Sequence, residues 1–531
     1  MLTWQPKVTV DELKGHLDGL LHGLHAVSSS LNKGSSHGED TGTQKLRSRS
    51  TSTSCYLGSA QVADALSRLE KVLPTLLDAR AELQYISTVI GHNCNLIAPV
   101  NRLPNEILLK IFELLPVPQN AYRVSNAMLA ASVCRRWRWL SINTPTLWST
   151  LEFFGRPPFH IANLCLSRSR DCGLKVVLKS DSKGYDWPFL VAADMALSAA
   201  LRWSDLTIWF SNSTQPLVAQ LLLLFQVKVG RNRLIAPRLR TLSLRSHHTT
   251  SLDPLFCDKL EDFNRLIALQ TLHVHQVQPS RALCAYTHLT HLFFAHVTVT
   301  SLVDLHNIFV SCTRVRVLDL DGITVSLDGS REPRSGFALV TLPDLTELSM
   351  RRVTWIVQKL VLEALDTPAL RAFEIMIDSS LDELTASFLT RTPTIDTLAL
   401  TVVFQYNGLK HTPNIIGALD TLVHLETFTL DSYDDDKLSL LHTLLSHSFP
   451  RLTNIHVKGR TRQGDVDALK AIVECRRRDP ALSTVRRLSF YCPNPLYTSK
   501  RNMMADAEWF TDNAGLESCE FVMQDNISLT R

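Results

Sequence analysis

The chain is 531 residues long, enough for two or three domains or one extended array. Its 45% hydrophobic and 20% charged residues are ordinary for a soluble globular protein, and a net charge of +4 gives no reason to expect a polyanionic partner. The longest strongly apolar run, Leu217 to Val229, is broken by Gln220, Gln226 and Lys228 and falls short of the ~20 apolar residues a membrane span needs.

Residues 9–31 carry the first helical pattern. Thr9 followed by Glu12 forms a capping-box signature, and Leu13, Leu17, Leu20, Leu24 and Leu31 approximate one stripe. The opening residues Met1, Leu2, Thr3 and Trp4 lack the basic-then-apolar plan of a secretory signal. The cysteines show no C-x-x-C pair and no regular spacing, which fits reduced, mostly buried thiols. A cytoplasmic or nuclear chain is therefore expected. After the first helix, residues 33–56 are dominated by Ser, Gly, Thr and charges, too polar to bury a core, and read as a disordered linker. Helical periodicity returns over residues 57–98, where Val62, Leu66, Leu69, Leu73, Leu76, Leu83 and Ile90 alternate at four and three residues, interrupted by Arg80 and Ser87. Pro74 is expected to kink or split this segment. A coiled coil fits the stripe, but the simpler expectation is a short helix packed against the domain that follows.

Residues 99–151 hold the densest motif. Pro104 suits a first helical turn, and Leu103, Ile107, Ile111 and Leu115 recur on one face with Leu108 and Phe112 beside them. A second helix, Met128 to Leu140, repeats the logic with Leu129, Val133, Trp137 and Leu140. So short a segment cannot bury all these apolar groups alone, and the surplus calls for a partner. Leu103, Pro104, Glu106, Ile107, Leu108, Ile111, Phe112, Val133, Cys134, Trp137, Leu147 and Trp148 make the segment resemble the F-box. The stretch between the helices, Pro116 to Ala127, is longer than in the compact F-box. A following run, Leu164, Leu166, Arg168 and Ser169, then a strand from Leu174 to Leu178, then Arg202, Trp203, Leu206 and Ile208, resembles a group of fungal F-box proteins.

The rest of the chain repeats itself. Ten copies of an L-x-x-L-x-L strand pattern begin at Leu239, Leu269, Leu289, Val315, Leu345, Leu370, Ile395, Leu425, Leu452 and Val485, spaced 20 to 33 residues apart. That interval holds a strand, a return helix and two loops, the plan of a leucine-rich repeat. Helices are expected over Asp304 to Cys312, Gln358 to Leu365, Leu381 to Leu389 and Asp465 to Arg477. Where regular repeats place Asn or Cys to bond the turn backbone, this chain has Val277, Val297, Ile323, Val353 and Val403, so its turns must find other partners. The expected fold class is α/β: N-terminal helices and a three-helix F-box, then an irregular leucine-rich-repeat solenoid over 152–531, with parallel strands and return helices.

If the repeat leucines point inward, the alternate strand residues line the concave face. His273, His291, Phe293, Asp319, Glu347, Arg351 and His456 are candidate substrate contacts there, and their mixed charge suits protein recognition better than a nucleic-acid groove. Arg135, Arg136 and Arg138 fan outward from an apolar helix face and are not read as a nucleic-acid patch. Asp434, Asp435 and Asp436 lack the further ligands of a calcium loop, and Arg476, Arg477 and Arg478 suit the C-terminal end of a helix. The histidine pairs lack zinc spacing, and no nucleophile, Walker or kinase motif occurs. No metal, no cofactor and no catalytic residue is expected.

The F-box resemblance implies a non-catalytic, substrate-selecting subunit of an SCF-type cullin–RING ubiquitin ligase. It implies that Leu103, Pro104, Ile107, Leu108, Ile111, Val133, Cys134 and Trp137 bind a Skp-type adaptor, which bridges to a cullin, while the repeats capture a protein substrate. A scaffold that binds the adaptor without ubiquitylation remains the alternative reading. No nucleic acid and no membrane is expected among the partners.

Overall fold

The computed structural model describes residues 51–115, 126–153, 159–180, 186–210, 236–250, 268–277, 288–299, 301–325, 336–377, 381–402, 413–432, 441, 449–459, 463–492, 505–506, 508–510, 512, 516–523 and 528–530. The helix expected over 9–31, most of the expected linker, the 217–229 run, Val403 and the 434–436 aspartates lie outside them. The described residues divide into two compact units. One runs to Leu114 and includes Ala130–Leu140; the other comprises Leu115–Leu129 and Ser141–Arg531.

Helix α1, Thr51–Ile97, corrects two expectations at once. It is one continuous 47-residue helix through Pro74, and it begins at Thr51, five residues before the expected end of the linker at residue 56. None of its described side chains is buried, so it is not a short helix packed into a domain. Pro74 is exposed, so the Glu70 carbonyl that loses its intrahelical donor stays open to water, and the helix survives the missing bond.

Three short helices follow: α2, Asn105–Leu114; α3, Asn126–Val133; and α4, Arg135–Asn143. The single helix expected from Met128 to Leu140 is split at Cys134, whose carbonyl accepts the first bond of α4 from Arg138 N at 2.9 Å. A 3-10 turn, Pro145–Trp148, closes the run, and the Trp148 indole donates to the Ser141 carbonyl at 2.6 Å. The Arg168 guanidinium lies 4.4 Å over that ring. Farther along, Trp203 repeats the arrangement by donating to Ala196 O at 3.1 Å, while Arg202 reaches the Ser169 hydroxyl at 2.5 Å.

The second unit is a leucine-rich-repeat solenoid built on one 15-stranded sheet whose strand order follows chain order. It starts with β1, Thr150–Phe153; β2, Leu174–Lys179; and β3, Trp203–Phe210, ahead of the ten copies visible as L-x-x-L-x-L. Those copies form β4, Thr241–Thr250; β5, Thr271–Val277; β6, His291–Ala295; β7, Val317–Asp321; and β8, Glu347–Arg351. They continue as β9, Ala372–Ile377; β10, Thr397–Val402; β11, Thr427–Ser432; β12, Asn454–Lys458; and β13, Arg487–Cys492. All these neighbours pair in parallel. At the end β14, Ser518–Met523, pairs parallel to β13 and antiparallel to β15, Ser528–Thr530.

Register follows the repeat. Leu242, Leu272, Leu292, Leu318, Leu348, Phe373, Leu398, Phe428, Ile455 and Leu488 stand side by side across the sheet, all buried. Return helices sit at Leu302–Ser311, Trp355–Ala364, Asp382–Arg391, Pro413–Leu419 and Gln463–Arg478. The Asp382 carboxylate caps the next repeat's helix by accepting from Asn414 N and Ile415 N, both at 3.1 Å. Arg476 is not a free dipole partner: it is 1% exposed, and its guanidinium donates to the Phe449 and Ser483 carbonyls of neighbouring loops.

The turns after the strands show what replaces the polar ladder. Val277, Val297, Ile323 and Val353 are buried, and the residue before each has positive φ: Gln276 at 55°, His296 at 52°, Gly322 at 64° and Arg352 at 52°. This left-handed step turns the chain while its backbone bonds to the next repeat. His296 N donates to Asp321 O at 2.6 Å and Gly322 N to Arg351 O at 2.8 Å. Thr324 N donates to Val297 O at 2.9 Å, and Thr354 N to Ile323 O at 3.0 Å. Main chain therefore satisfies main chain from turn to turn, leaving the side-chain position free to be aliphatic.

Candidate functional site

The segment from Leu103 to Leu114 separates into an inner and an outer stripe because a helix turns 3.6 residues at a time. Leu108 and Phe112, four apart, face inward and are fully buried. Ile107, Ile111 and Leu114 fall on another face: Ile107 is 48% exposed, Leu114 is 80% exposed and Ile111 is half-buried. Pro104 is exposed and Leu103 half-buried at the helix entry. Val133, at the end of α3, is 52% exposed, and Cys134 beside it is half-buried. The structure therefore removes Leu108 from the candidate adaptor contacts. Its side chain belongs to the segment's own core, and it could touch a partner only by leaving it.

Trp137 is half-buried and held in place. Its ring packs 4.8 Å from that of Phe112 at 52°, and its Nε1 donates to Asn101 Oδ1 at 2.7 Å. Arg136 also departs from expectation. It does not fan outward but turns back over the helix entry, donating to the carbonyls of Asn101 and Leu103 and to Asn105 Oδ1 at 2.7 Å. Sequence reasoning missed this clamp and its acceptors. The signal available was Asn101 and Asn105 flanking Leu103-Pro104, where free carbonyls precede a helix. Leu114 was also missed, although it lies seven residues after Ile107 on the same stripe.

On the repeat unit the strand residues alternate as expected, with leucines in and the intervening residues half-buried or exposed. Six of the seven candidate contacts fall on four neighbouring strands, β5 to β8. His273 stacks on Phe293 with ring centroids 4.3 Å apart and planes 11° from parallel, and His291 lies 6.4 Å from Phe293 on its own strand. Beside them Arg351 holds both carboxylate oxygens of Asp319, at 2.7 and 3.0 Å, and approaches Glu374 at 3.7 Å. Glu347 is exposed in the same row as His291. His456 shares the row of His273, Phe293 and Asp319 but stands five strands beyond Asp319, about 24 Å at a ~4.8 Å strand spacing. Its Nδ1 lies 2.5 Å from the Ser489 hydroxyl. The structure adds Trp209 and Arg245 on β3 and β4, the guanidinium 5.0 Å over the indole. Arg245 was visible as an outward residue beside Leu244, whereas β3 lies before the first recognised repeat.

Burial sets the electrostatics of this face. It holds the His273 imidazole below its ordinary value, helped by the Arg245 and His291 charges and opposed by Asp319. Burial lowers His275 and His456 as well. For Asp321 burial acts upward, but the bond from Arg352 and the Arg352 and Arg351 charges outweigh it and keep the carboxyl below its usual range. His273, His275 and His456 are thus favoured neutral, while the Asp321 carboxylate is favoured charged beside Arg352. Such a face can stack against, and hydrogen-bond, a protein surface. Among the described residues no group of three or more His, Cys, Asp or Glu is placed to hold a metal ion, and no helix is long and apolar enough to cross a membrane.

Residues 100–153 match the family model described as F-box-like. No curated protein matches the chain. Among solved structures the chain is similar to an internalin (inlF) of Listeria monocytogenes, at 14% identity and a TM-score of 0.23, over 55% of this chain and 77% of that one. The solenoid assignment rests on this chain's own strand order and register. The protein thus carries an F-box-like segment followed by leucine-rich repeats.

Proposed function

We propose that the protein selects substrates for an SCF-type ubiquitin ligase. F-box domains in general bind Skp-type adaptors, and residues 100–153 are F-box-like. The observation that carries the reading is the outer edge of that segment, where Ile107, Leu114 and Val133 stay open to solvent while Leu108, Phe112 and the Arg136 clamp hold the helices together. Leu103, Pro104, Ile107, Ile111, Val133, Cys134 and Trp137 are the proposed adaptor contacts. A cullin joins through the adaptor, and the concave face around His273, Phe293, Asp319 and Arg351 receives the target protein. The likeness of residues 164–208 to fungal F-box proteins belongs to the same reading.

The test is co-purification of the full chain with a Skp-type adaptor and a cullin. Wild-type protein retains both, and the combined variant Leu103→Ala, Pro104→Ala, Trp137→Ala loses both. Retention of the adaptor by the triple variant would refute the docking assignment. Adaptor without cullin would instead make the protein a scaffold.

A further inference from the structure

Helix α1 presents its apolar residues to solvent along its described length. Leu66, Leu73, Leu83 and Ile90 are each more than half exposed, Leu83 the most at 68%. In proteins most helical stability comes from packing an apolar face, and none of this helix's described side chains is buried, so its apolar stripe calls for something alongside it. Positions 62, 66, 69, 73, 76, 80, 83, 87 and 90 alternate at four and three residues, the 3.5-residue period of a coiled-coil seam. In heptad letters 66, 73, 80 and 87 are a, and 62, 69, 76, 83 and 90 are d. Leu76, Ala79, Arg80, Leu83, Gln84, Ser87 and Thr88 line one open depression along the helix, and the first four have the d-g-a-d spacing of a coiled-coil hole.

We propose that α1 is a dimerisation helix, pairing two copies of the chain as an antiparallel coiled coil with position 73 of one opposite position 76 of the other. Charge placement selects this arrangement. In a parallel pair Arg80 faces Arg80 of the second copy, and Ser87 faces Ser87 one heptad on. Glu70 is the only acidic residue at the flanking e and g positions from 63 to 93, and in that pair it lies ten residues away, about 15 Å along the axis. In the antiparallel pair Arg80 packs over Leu69 of the second copy, with Glu70 of that copy one residue along on the same side. Symmetry makes two such ion pairs. The same register sets Leu66 against Leu83 and Leu73 against Leu76, so each central leucine layer is filled. Shifting by one heptad in either direction places Arg80 beside Ala63 or Leu77 and loses the acid. The overlap from 59 to 90 spans about 48 Å, roughly four and a half heptads and enough for a stable seam. Pro74 falls on the outer b position, where it disturbs no contact.

Sedimentation equilibrium of the full chain tests this directly. Wild-type protein at tens of micromolar is expected at twice its 59.6 kDa monomer mass. Leu73→Asp, a change at an exposed site, is expected at the monomer mass, with any loss of helical circular dichroism no larger than the share of α1. Arg80→Glu and Glu70→Arg singly are each expected to raise the dimer dissociation constant about tenfold, and the double exchange to restore it. In this register the Cys94 residues of the two copies lie at opposite ends of the seam, so oxidation with copper(II) phenanthroline is expected to form no Cys94–Cys94 link. A monomeric wild-type chain would overturn the proposal. So would a dimer that the double exchange fails to rescue, or one that oxidises from Cys94 to Cys94, since either is the parallel arrangement.

Discussion

Truncating Leu108 removes a side chain with no exposed surface, so Leu108→Ala leaves a cavity and is expected to cost about 2–5 kcal/mol of stability. Ile107, its neighbour, points the other way. Ile107→Ala is expected to leave thermal unfolding almost unchanged while weakening adaptor binding, and Trp137→Ala to weaken it by ~30-fold or more, as loss of an interface tryptophan commonly does. Melting curves and adaptor titrations on the three variants separate core from contact. A Leu108→Ala protein with normal stability would contradict the inward placement. The F-box-like motif was legible in sequence as a set of residue types, but the set does not say which face each occupies. Leu108 matches the F-box pattern as well as Ile107 does, and only the packing of Phe112 against Trp137 fixes which stripe turns inward. Arg136 was unreadable for a related reason. A guanidinium beside Trp137 looks like surface charge until the carbonyls of Asn101 and Leu103 come within its reach.

The strands were readable because each L-x-x-L-x-L copy carries its own inward face and its own register, and all ten copies form neighbouring strands of the sheet. The turns were not. Gln276, His296 and Arg352 are ordinary side chains in the left-handed region, and the turns at His296 and Arg352 are held by backbone bonds to the neighbouring repeat rather than by local preference. Gly459 is the sharper case: its φ is 88°, and a Cβ there would collide with the Ser432 carbonyl of the preceding strand. Gly459→Ala is therefore expected to destabilise the repeat unit by about 1–3 kcal/mol, checked by urea unfolding. The sheet also has a pH signature. Burial lowers the values of His273, His275 and His456, so the unfolded chain binds their protons first. Their contribution is complete above the ordinary value of 6.5 and is lost as pH falls from there through their folded values. Asp321 acts in a separate window, its contribution present above its ordinary 3.8 and lost below that. The melting temperature is expected to fall as pH drops below 6.5, and His273→Gln with His456→Gln to flatten that step. A melting temperature that stays level across this range would show that these imidazoles protonate freely in the folded protein.

At the scale of the whole molecule the solenoid behaves as a stack in which each repeat touches its neighbours and little else. Changes on the concave face of β5 and β6 should therefore stay local, and the F-box-like segment, whose exposed edge belongs to the other unit, should not register them. The aromatic platform is the strongest candidate hot spot on that face. Phe293 is stacked with His273, whereas Asp319 and Arg351 already satisfy one another and have less to offer a partner. His273→Ala with Phe293→Ala is accordingly expected to reduce capture of the target protein by tenfold or more while adaptor affinity stays within about twofold. Asp319→Asn is expected to act differently. It takes the bidentate carboxylate from Arg351, leaving only Glu374 at 3.7 Å, and changes the charge of the face, so it should alter the salt dependence of capture more than its strength. Quantitative capture from cell extract, using adaptor-binding-deficient protein as bait so that targets accumulate, reads both variants against wild type. If the platform variant captures as well as wild type while Asp319→Asn does not, recognition is carried by the paired charges and the aromatic stack only braces the sheet.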